Sequence, residues 1–554
     1  MKKRLLAVVL AATMVMGSLA ACNSSSNKET DPTEKATEKA TEATEKATEA
    51  ATGETEAGGT YPLQTDVTLS YWADLNTSVS PNYASLGETP FGQGWMENTG
   101  VDIEFLHPPS GMAAENFSLM IADGDLPDLI EHPWLTNYPG GPQKAIDDGI
   151  IVPLNDIIDQ YAPNLKAYLE ANPHIDKLVK TDEGNYYAFP FIRGDVGLLN
   201  TIGLMVRKDW LDELGLEVPT TIDEWHTVLT AFKDKGVASP FVFEYTMGSL
   251  LAANPFMYAY DTNREFFVDA NDMIRFGPME PGYRDYLETF AKWYAEGLID
   301  ADIATQGLDQ VSAKMTSDDA GASIGWAGSR LGVWTNSAIS TNPDFELVPA
   351  PVPALTAGGK AEMGPIESQY PAQAAVAITT ACKDIEVAAR LLDWAYGEEG
   401  HLYFNFGTEG VSYDMVNGYP TYREEVLEHP DGWPRAQSLA ANIRGNYNGP
   451  FVQDLRYLEQ FYSLPAQEDS IGIWGDHNGV AYRLPSITPT SEESSEFAMI
   501  MNEINTYRDE MTIRFILGTE SFDNYDKFIE TMETMGIERA VEIQNGAYAR
   551  YKDR

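Results

Sequence analysis

The sequence places aromatic and charged side chains together in loops, where they can hold a polyhydroxylated ligand. Aromatic faces cover the C–H surfaces of a sugar ring, while carboxylates and guanidinium groups hydrogen-bond its hydroxyls. The candidates follow predicted strands or lie in glycine-rich loops, and they are Trp72, Glu131, Trp134, Arg193, Trp326, Arg330, Glu367, Tyr370 and Trp474. For each loop tryptophan the alternative is a ring that plugs its own loop.

Arg193 and Arg330 are the two cations of this set. On a chain with an acidic balance, a guanidinium suits the bidentate binding of a uronate carboxylate. Each arginine can equally form an ion pair at the surface or between two halves of the fold. The sequence leaves both interpretations open.

Motifs for catalysis or metal binding find little support. Residues 321–325 match the Gly-x-Ser-x-Gly pattern around Ser323, but the preceding residues 315–319 are polar and no helical pattern follows. The seven histidines form no His-Glu-x-x-His motif, and acidic residues are too numerous for a catalytic pair to be identified. We therefore predict no catalytic residue, no cofactor and no metal site.

Alternating strand and helix patterns predict an α/β protein with a mainly parallel sheet. Residues 67–71 and 101–105 alternate like strands, and residues 115–122 have apolar positions at helical spacing before Gly124. A short buried strand follows at residues 129–130. In open sheets of this class ligands bind beyond the carboxyl ends of the strands, where several of the candidates lie.

Other tryptophans belong to predicted helices and therefore to the core. Thr221-x-x-Glu224 is a capping box, and apolar residues at helical spacing follow it. Gly215 and Gly297 come after helical patterns, where left-handed C-caps are expected. The helix-borne tryptophans predicted to pack inside are Trp210, Trp225, Trp293 and Trp394.

The chain carries a strong excess of acidic residues. Its 554 residues include 84 Asp and Glu against 37 Lys and Arg, for a net charge of −47. Phosphate groups are bound by Lys and Arg side chains. The excess of acidic residues therefore argues against nucleic acid and against an anionic membrane surface as partners. The chain has two cysteines, and we expect Cys382 to pack as a small apolar residue.

The N-terminus has the features of an export and attachment segment. Residues 2–4 form a charged head, the apolar run 5–16 is too short for a stable membrane anchor, and Leu19-Ala20-Ala21-Cys22 follows. That sequence resembles the lipobox of bacterial lipoproteins, in which the cysteine receives a diacylglycerol; the alternative is an ordinary signal peptide. We predict a signal peptide over residues 1–21, lipidation of Cys22 and a disordered Thr/Glu/Lys/Ala tether over residues 22–60. The lipobox resemblance implies attachment to the outer face of the bacterial cytoplasmic membrane.

The folded part, residues 61–554, carries an ordered set of motifs. They are found at residues 124–128, 149–155, 182–190, 207–215, 219–225, 391–400 and 405–413. In order and spacing they resemble extracellular solute-binding proteins of sugar ABC transporters, above all the large lipoprotein branch that includes binders of alginate- and pectin-derived oligosaccharides. The resemblance implies a two-lobed, type II periplasmic-binding-protein-like α/β fold with an inter-lobe cleft. It also implies permease subunits as partners and a binding aromatic at Trp326.

Some alginate binders of that branch hold calcium near the segment that matches residues 182–185. Here the segment is short of oxygen ligands, so we predict no metal there.

The lobes are expected at about residues 61–190 plus 310–370 and at about 191–309 plus 371–554. We predict a monomer that captures an oligosaccharide without turnover and delivers it to a permease. A peptide- or signal-binding lipoprotein of the same fold is the main alternative, and a secreted carbohydrate-active enzyme is less favoured.

Overall fold

The computed structural model describes residues 60–244, 254–371, 375–444 and 448–554 of the chain. The predicted signal peptide, Cys22 and all but the last residue of the predicted tether lie outside these ranges. Within them, no helix has both the length and the apolar character that crossing a membrane requires.

Two four-stranded sheets, of order β11-β3-β1-β2 and β10-β5-β9-β6, form the frame of the molecule. The strands in chain order are β1 (Thr68–Trp72), β2 (Asp102–Leu106), β3 (Leu129–His132), β4 (Ile192–Arg193), β5 (Ile202–Arg207), β6 (Ser239–Val242), β7 (Phe266–Val268), β8 (Ile274–Phe276), β9 (Ala320–Trp326), β10 (Leu347–Ala350), β11 (Ala375–Ile378), β12 (Tyr413–Val416), β13 (Tyr419–Tyr422) and β14 (Val452–Gln453). Each four-stranded sheet is the centre of one lobe.

Helices cover both sheets. In chain order they are α1 (Pro90–Thr99), α2 (Ala113–Asp123), α3 (Trp134–Asn137), α4 (Gly141–Asp147), α5 (Asn155–Tyr161), α6 (Pro163–Ala171), α7 (Pro173–Leu178), α8 (Lys208–Leu214), α9 (Ile222–Lys235), α10 (Pro255–Tyr258), α11 (Pro281–Ala295), α12 (Leu308–Thr316), α13 (Val333–Ala338), α14 (Ile385–Asp393), α15 (Glu398–Phe406), α16 (Glu424–Leu427), α17 (Arg435–Asn442), α18 (Leu455–Phe461), α19 (Pro465–Trp474), α20 (Gly479–Tyr482), α21 (Ser491–Ile516), α22 (Tyr525–Met535) and α23 (Ile537–Asp553).

The first sheet is parallel apart from one strand. β1 pairs in parallel with β2 and with β3, while β11 runs antiparallel to β3. The strands predicted near residues 67–71 and 101–105 are thus confirmed within a residue, and α2 ends at Gly124 with a φ of 71°. One apolar cluster, supplied by this sheet, by α1–α7 and by α14 and α15, forms the core of the first lobe and contains Cys382.

The second sheet is covered on both faces. Leu204 and Val206 of β5 point into a cluster built with α8–α11 and α21–α23, whereas Met205 points into a second cluster built with α12, α13 and α17–α19. Alternate residues of a strand face opposite sides of a sheet, so a strand buried on both faces is apolar throughout. The segment from Phe406, at the end of α15, to α19 therefore acts as an extra layer on the second lobe.

The predicted helix signals are confirmed in the second lobe. Thr221 and Glu224 form the capping box of α9, with the Glu224 amide donating to the Thr221 hydroxyl at 3.2 Å. Gly215 and Gly297 have φ values of 68° and 67°, as left-handed C-caps require. The four helix-borne tryptophans are buried.

Three chain segments cross between the lobes side by side. The Ile192 amide donates to the Phe451 carbonyl at 3.0 Å, which pairs β4 with β14, and the Arg193 amide donates to the Gln369 carbonyl at 2.8 Å. The crossing segments thus form a narrow hydrogen-bonded ribbon, and we call it the hinge.

The predicted division of the later chain between the lobes was wrong. β9 pairs antiparallel with β5, from Ile202 opposite Trp326 to Val206 opposite Ala322, and β10 lies on the other side of β5. Residues of the 310–370 range therefore belong to the second sheet. β11 instead returns to the first sheet, and α14 and α15 pack on it.

Candidate functional site

The carboxyl ends of the parallel strands in both sheets lie next to the hinge. β3 ends beside Ala375, the first residue of β11. The hinge segment 367–370 precedes β11 in the chain. β9 ends at Trp326, which lies beside Ile202, the first residue of β5. The hinge strand β4 precedes β5 in the chain. The two carboxyl edges therefore border a common inter-lobe region, the cleft, where open α/β sheets bind ligands.

Glu131 of β3 is buried in an ion pair at the first carboxyl edge. Its carboxylate pairs with the guanidinium of Arg444 and accepts a hydrogen bond from the Tyr71 hydroxyl at 2.7 Å. Burial and the Glu131 charge raise the pKa of Tyr71 well above its usual value, so the phenol stays a donor. Partial desolvation and the Glu131 charge also raise the pKa of Asp74, whose carboxyl group is exposed. The edge thus combines one buried carboxylate, with both oxygens engaged, and one exposed carboxyl group.

Trp72 and His132 close the ends of β1 and β3. Their ring centroids lie 5.4 Å apart in an edge-on contact, and His132 stacks on Phe117 at 4.0 Å. The Asn137 amide lies 3.1 Å from His132 Nε2, which accepts from it as a neutral imidazole. Trp72 is 7 % exposed, so it lines this edge as a packed ring.

Arg330 and Trp326 form the corresponding group at the second carboxyl edge. Arg330 Nε donates to Glu244 Oε1 at 2.7 Å, and its guanidinium carbon lies 5.5 Å from the Trp326 ring centroid. Gly325 makes room for this arrangement, because a Cβ there would come within 2.5 Å of Arg330 Cγ. Trp326 keeps a partly exposed ring. Sequence reasoning did not identify Glu244, although Glu244 follows β6 at a position comparable to that of Glu131 near the end of β3.

Arg193 and Glu367 pair with each other inside the hinge. Arg193 Nη1 also donates to the Ser368 carbonyl at 2.7 Å, and the Thr201 hydroxyl donates to Glu367 Oε1 at 3.0 Å. Arg483, which is exposed, donates to the neighbouring Ile366 carbonyl. The inter-lobe ion pair considered for Arg193 is therefore present.

Trp134, Tyr370 and Trp474 lie inside packed cores. The Trp134 indole N–H donates to the carbonyl four residues earlier at 3.3 Å, and that of Trp474 donates to the Leu204 carbonyl at 3.0 Å. Tyr370 shares a hydrogen bond with the buried Tyr187 hydroxyl. The two tryptophans are 1 % exposed and Tyr370 is 2 % exposed. In this arrangement none of the three offers an open ring face.

Trp433 is a candidate that sequence reasoning missed. Of the eleven tryptophans of the chain, all within the described residues, only Trp326 and Trp433 keep partly exposed rings. Trp433 stacks on His429 with centroids 4.2 Å apart and meets Tyr83 edge-on at 6.4 Å. Tyr83 lies in the loop after β1, so this contact joins the first carboxyl edge to the layer on the second lobe. Trp433 follows no strand, and its glycine and proline neighbours were the available signal.

Ser323 is unsuited to be a nucleophile. It lies in the middle of β9, fully buried, rather than on a sharp strand-to-helix turn. Its hydroxyl reaches only the Ile324 carbonyl, at 3.4 Å, among the described residues. The predicted lack of a strand and a following helix was wrong, since β9 contains Ser323 and helical residues 327–338 follow it, but the position of Ser323 inside the strand still separates it from a nucleophile turn.

The segment around Asp182 does not fit a calcium ion. The Asp182 carboxylate accepts a hydrogen bond from Arg550 Nε at 2.6 Å and another from Arg554 Nη2, both from the C-terminal helix. Arg554 also donates to the Lys180 carbonyl at 2.7 Å. Within the described ranges, no group of three or more His, Cys, Asp or Glu side chains is arranged to hold a metal. Two guanidinium groups thus tie the end of α23 to the first lobe.

Replacing Asp182 by asparagine should lower the free energy of unfolding by about 1–3 kcal/mol, because Arg554 is buried and loses its anion. A chelator such as EDTA should leave the melting temperature of the unchanged protein where it is. Both effects are measured by differential scanning calorimetry.

Asp272→Asn is the matched control, because Asp272 pairs with Lys552 of the same helix at an exposed position. Its effect should be much smaller. A melting temperature that falls with EDTA, or rises with added Ca²⁺, would contradict the assignment of these residues to an ion pair.

Comparisons with known proteins place these features in context. Residues 81–401 match the family of bacterial extracellular solute-binding proteins. The chain is 24 % identical over 523 residues to the fructooligosaccharide ABC transporter substrate-binding protein FusA of Streptococcus pneumoniae, over 89 % of this chain and 92 % of FusA. It is 22 % identical over 384 residues to Lipoprotein LipO of Bacillus subtilis, over 65 % of this chain and 70 % of LipO.

A solved structure shows the same architecture. The crystal structure of the alginate-binding protein AlgQ2 without calcium ion matches with a TM-score of 0.69 and 25 % identity, over 89 % of this chain and all of that one. The two-lobed α/β fold predicted from the sequence is confirmed.

Proposed function

Because this chain belongs to the bacterial extracellular solute-binding proteins, we propose that it captures an oligosaccharide in the cleft and delivers it to the permease of an ABC transporter. FusA and AlgQ2 support the carbohydrate class, since their names record fructooligosaccharide and alginate as ligands. Both are binding proteins, so binding without turnover is the expected activity.

The observation that carries this proposal is a partly exposed aromatic ring beside a charged pair at the second carboxyl edge. Trp326 keeps a partly exposed ring beside the Arg330–Glu244 pair. At the first carboxyl edge Glu131 is buried against Arg444, and in the layer on the second lobe Trp433 supplies a second partly exposed ring. A sugar needs both kinds of partner, namely a flat apolar face and hydrogen-bonding groups.

The hinge gives binding a mechanical consequence. A ligand in the cleft contacts both edges only when the lobes approach, so it stabilises the closed state and shifts the population toward it. The closed state is the form that a permease recognises in this proposal. The strand pairing supports a first lobe of about residues 60–192 and 370–404, with most of the remainder in the second.

Attachment to the membrane completes the proposal. Lipidation of Cys22 and a tether over residues 22–60 hold the monomeric protein at the outer face of the cytoplasmic membrane. Two acyl chains suffice for stable anchoring, whereas one gives marginal binding. The relatedness to Lipoprotein LipO supports this arrangement.

A matching oligosaccharide at about 100 times its Kd should add about 2.7 kcal/mol to the free energy of unfolding. The test uses the chain from Cys22 onward, produced in the cytoplasm so that no lipid is added, and follows thermal unfolding against a panel of oligosaccharides. For a sugar that binds, Trp326→Ala should weaken Kd by about thirtyfold, because a central aromatic contact contributes about 2 kcal/mol.

Tyr548→Ala is the control for Trp326→Ala, since Tyr548 is a partly exposed ring on α23, outside the two carboxyl edges. Its Kd should equal that of the unchanged protein. If a peptide pool raises the midpoint of thermal unfolding and no sugar does, the carbohydrate ligand class is wrong, but the cleft remains the proposed binding site. Detection of a shortened sugar product would contradict binding without turnover.

A further inference from the structure

Apart from the exposed Arg483, which donates to the Ile366 carbonyl next to Glu367, the arginines at the carboxyl edges and in the hinge are committed to carboxylates of the chain itself. The pairs are Arg330–Glu244, Arg444–Glu131 and Arg193–Glu367. Each of these guanidinium groups is 5 % exposed or less. A guanidinium that is buried against its own carboxylate has already satisfied the interaction that it would offer to an acidic sugar.

A uronate that bound one of these three guanidinium groups would have to displace its carboxylate. If it displaced Glu244 from Arg330, it would leave a side chain that is 1 % exposed without its counter-charge, which is strongly unfavourable. Glu244 Oε2 accepts no hydrogen bond from the described residues. Because this oxygen is buried, a sugar hydroxyl does not reach it in this arrangement, and the Arg330–Glu244 pair offers no uncompensated positive charge to a uronate carboxylate.

The remaining titratable groups at the first edge do not add positive charge. His107 has its Nδ1 2.8 Å from the Ala73 carbonyl, to which it donates, and its Nε2 accepts from the Leu86 amide at 3.1 Å. An imidazole with one donor and one acceptor nitrogen is neutral. Asp74 adds another carboxyl group beside Glu131. An incoming anion thus meets acceptors at this edge.

We propose that the cleft is built for uncharged oligosaccharides and discriminates against uronates. The inference deepens the proposed function and depends on it. Hydroxyl groups of a neutral sugar donate to the exposed Asp74 carboxyl group, and its C–H faces cover the partly exposed aromatic rings. The net charge of −47 acts in the same direction, because the protein as a whole repels anions.

Two oligosaccharide series of matched length separate the possibilities. The neutral series contains fructo-, gluco- and galacto-oligosaccharides of three or four units, and the acidic series contains oligogalacturonates and oligomannuronates of the same length. Kd is measured by calorimetry for the chain from Cys22 onward, at low and at high NaCl concentration. We expect binding only within the neutral series, with the same Kd at both salt concentrations, because screening acts on charged partners.

The outcomes distinguish this inference from the proposed function. Uronate binding that weakens with salt, without neutral binding, overturns the inference and leaves the proposed function intact. If neither series binds, the proposed function fails and the inference falls with it.

Glu244→Gln tests the mechanism of discrimination. The substitution keeps the size and the acceptor oxygen but removes the negative charge beside Arg330, so uronate binding that is weak or undetectable in the unchanged protein should strengthen at least about tenfold. Glu288→Gln is the matched control, since Glu288 pairs with Arg284 on the exposed side of α11, and should not change uronate affinity. An unchanged uronate Kd in a folded Glu244→Gln protein contradicts the role of this pair. If that variant does not fold, the salt comparison on the unchanged protein decides alone.

Discussion

Replacement of Arg444 by methionine should lower the free energy of unfolding by about 3–5 kcal/mol. Arg444 is 5 % exposed and Glu131 is 3 % exposed, so the ion pair lies out of water. Methionine fills much of the same volume, but it leaves the Glu131 carboxylate without a counter-charge. The hydrogen bond from Tyr71, at 2.7 Å, supplies a dipole rather than a charge. Urea unfolding followed by tryptophan fluorescence measures the loss.

The double variant Arg444→Met with Glu131→Gln isolates the cause. Glutamine keeps an acceptor for the Tyr71 hydroxyl but carries no charge, so most of the lost stability should return. Arg539→Met, which removes exposed pairs with Glu496, serves as a surface control and should change little. A double variant no more stable than Arg444→Met alone would show that lost packing, not an unpaired charge, causes the destabilisation.

Local structure was predictable because its signals are local. The capping box at Thr221 and the left-handed Gly215 depend on residues within one helical turn, and both were found where the sequence placed them. The division of strands between the sheets depends on partners far apart in the chain. β9 is rich in glycine and alanine and was not predicted as a strand, and nothing in its pattern or in that of the short apolar β11 indicates that one joins β5 and the other joins β3.

The same difference between local signals and partners distant in sequence applies to the candidate site. Position after a strand identified Glu131, and position in a glycine-rich stretch identified Arg330. Their partners, Arg444 and Glu244, are distant in sequence and left no pattern to detect. An isolated arginine is therefore ambiguous in a sequence, since a ligand contact and an internal ion pair require the same residue.

Loop tryptophans show a related ambiguity. Trp474 lies among glycines, which suggested an open loop, yet it ends α19 and packs against Gly203 of β5. A Cβ at Gly203 would come within 2.5 Å of the indole, so the glycine serves the packing of the ring. Glycines near a tryptophan thus indicate a close approach, but the sequence does not tell whether a ligand or the protein makes it.

The stability of the first lobe should fall as the pH drops from 6.5 toward 4, because His132 is buried as a neutral imidazole. Burial lowers the pKa of His132 from 6.5 to about 4. Between these values the unfolded chain binds a proton that the folded chain does not bind. The stabilisation is therefore fully present above about pH 6.5 and is lost as the pH falls through this window. A fall of the pKa by this amount corresponds to about 3 kcal/mol.

His132→Gln should remove this part of the pH dependence. A glutamine can still accept from the Asn137 amide but does not titrate, so its stability relative to the unchanged protein should improve as the pH is lowered. Carboxylates also titrate in this window, but they are the same in both proteins. The difference in unfolding free energy between the two proteins, measured at pH 7.5 and again at pH 4.5, therefore cancels their contribution. A difference that is independent of pH would mean that protons reach His132 in the folded state as easily as in the unfolded chain. In that case the aromatic packing of His132 against Phe117 and Trp72, rather than its exclusion from water, would be its contribution to the first carboxyl edge.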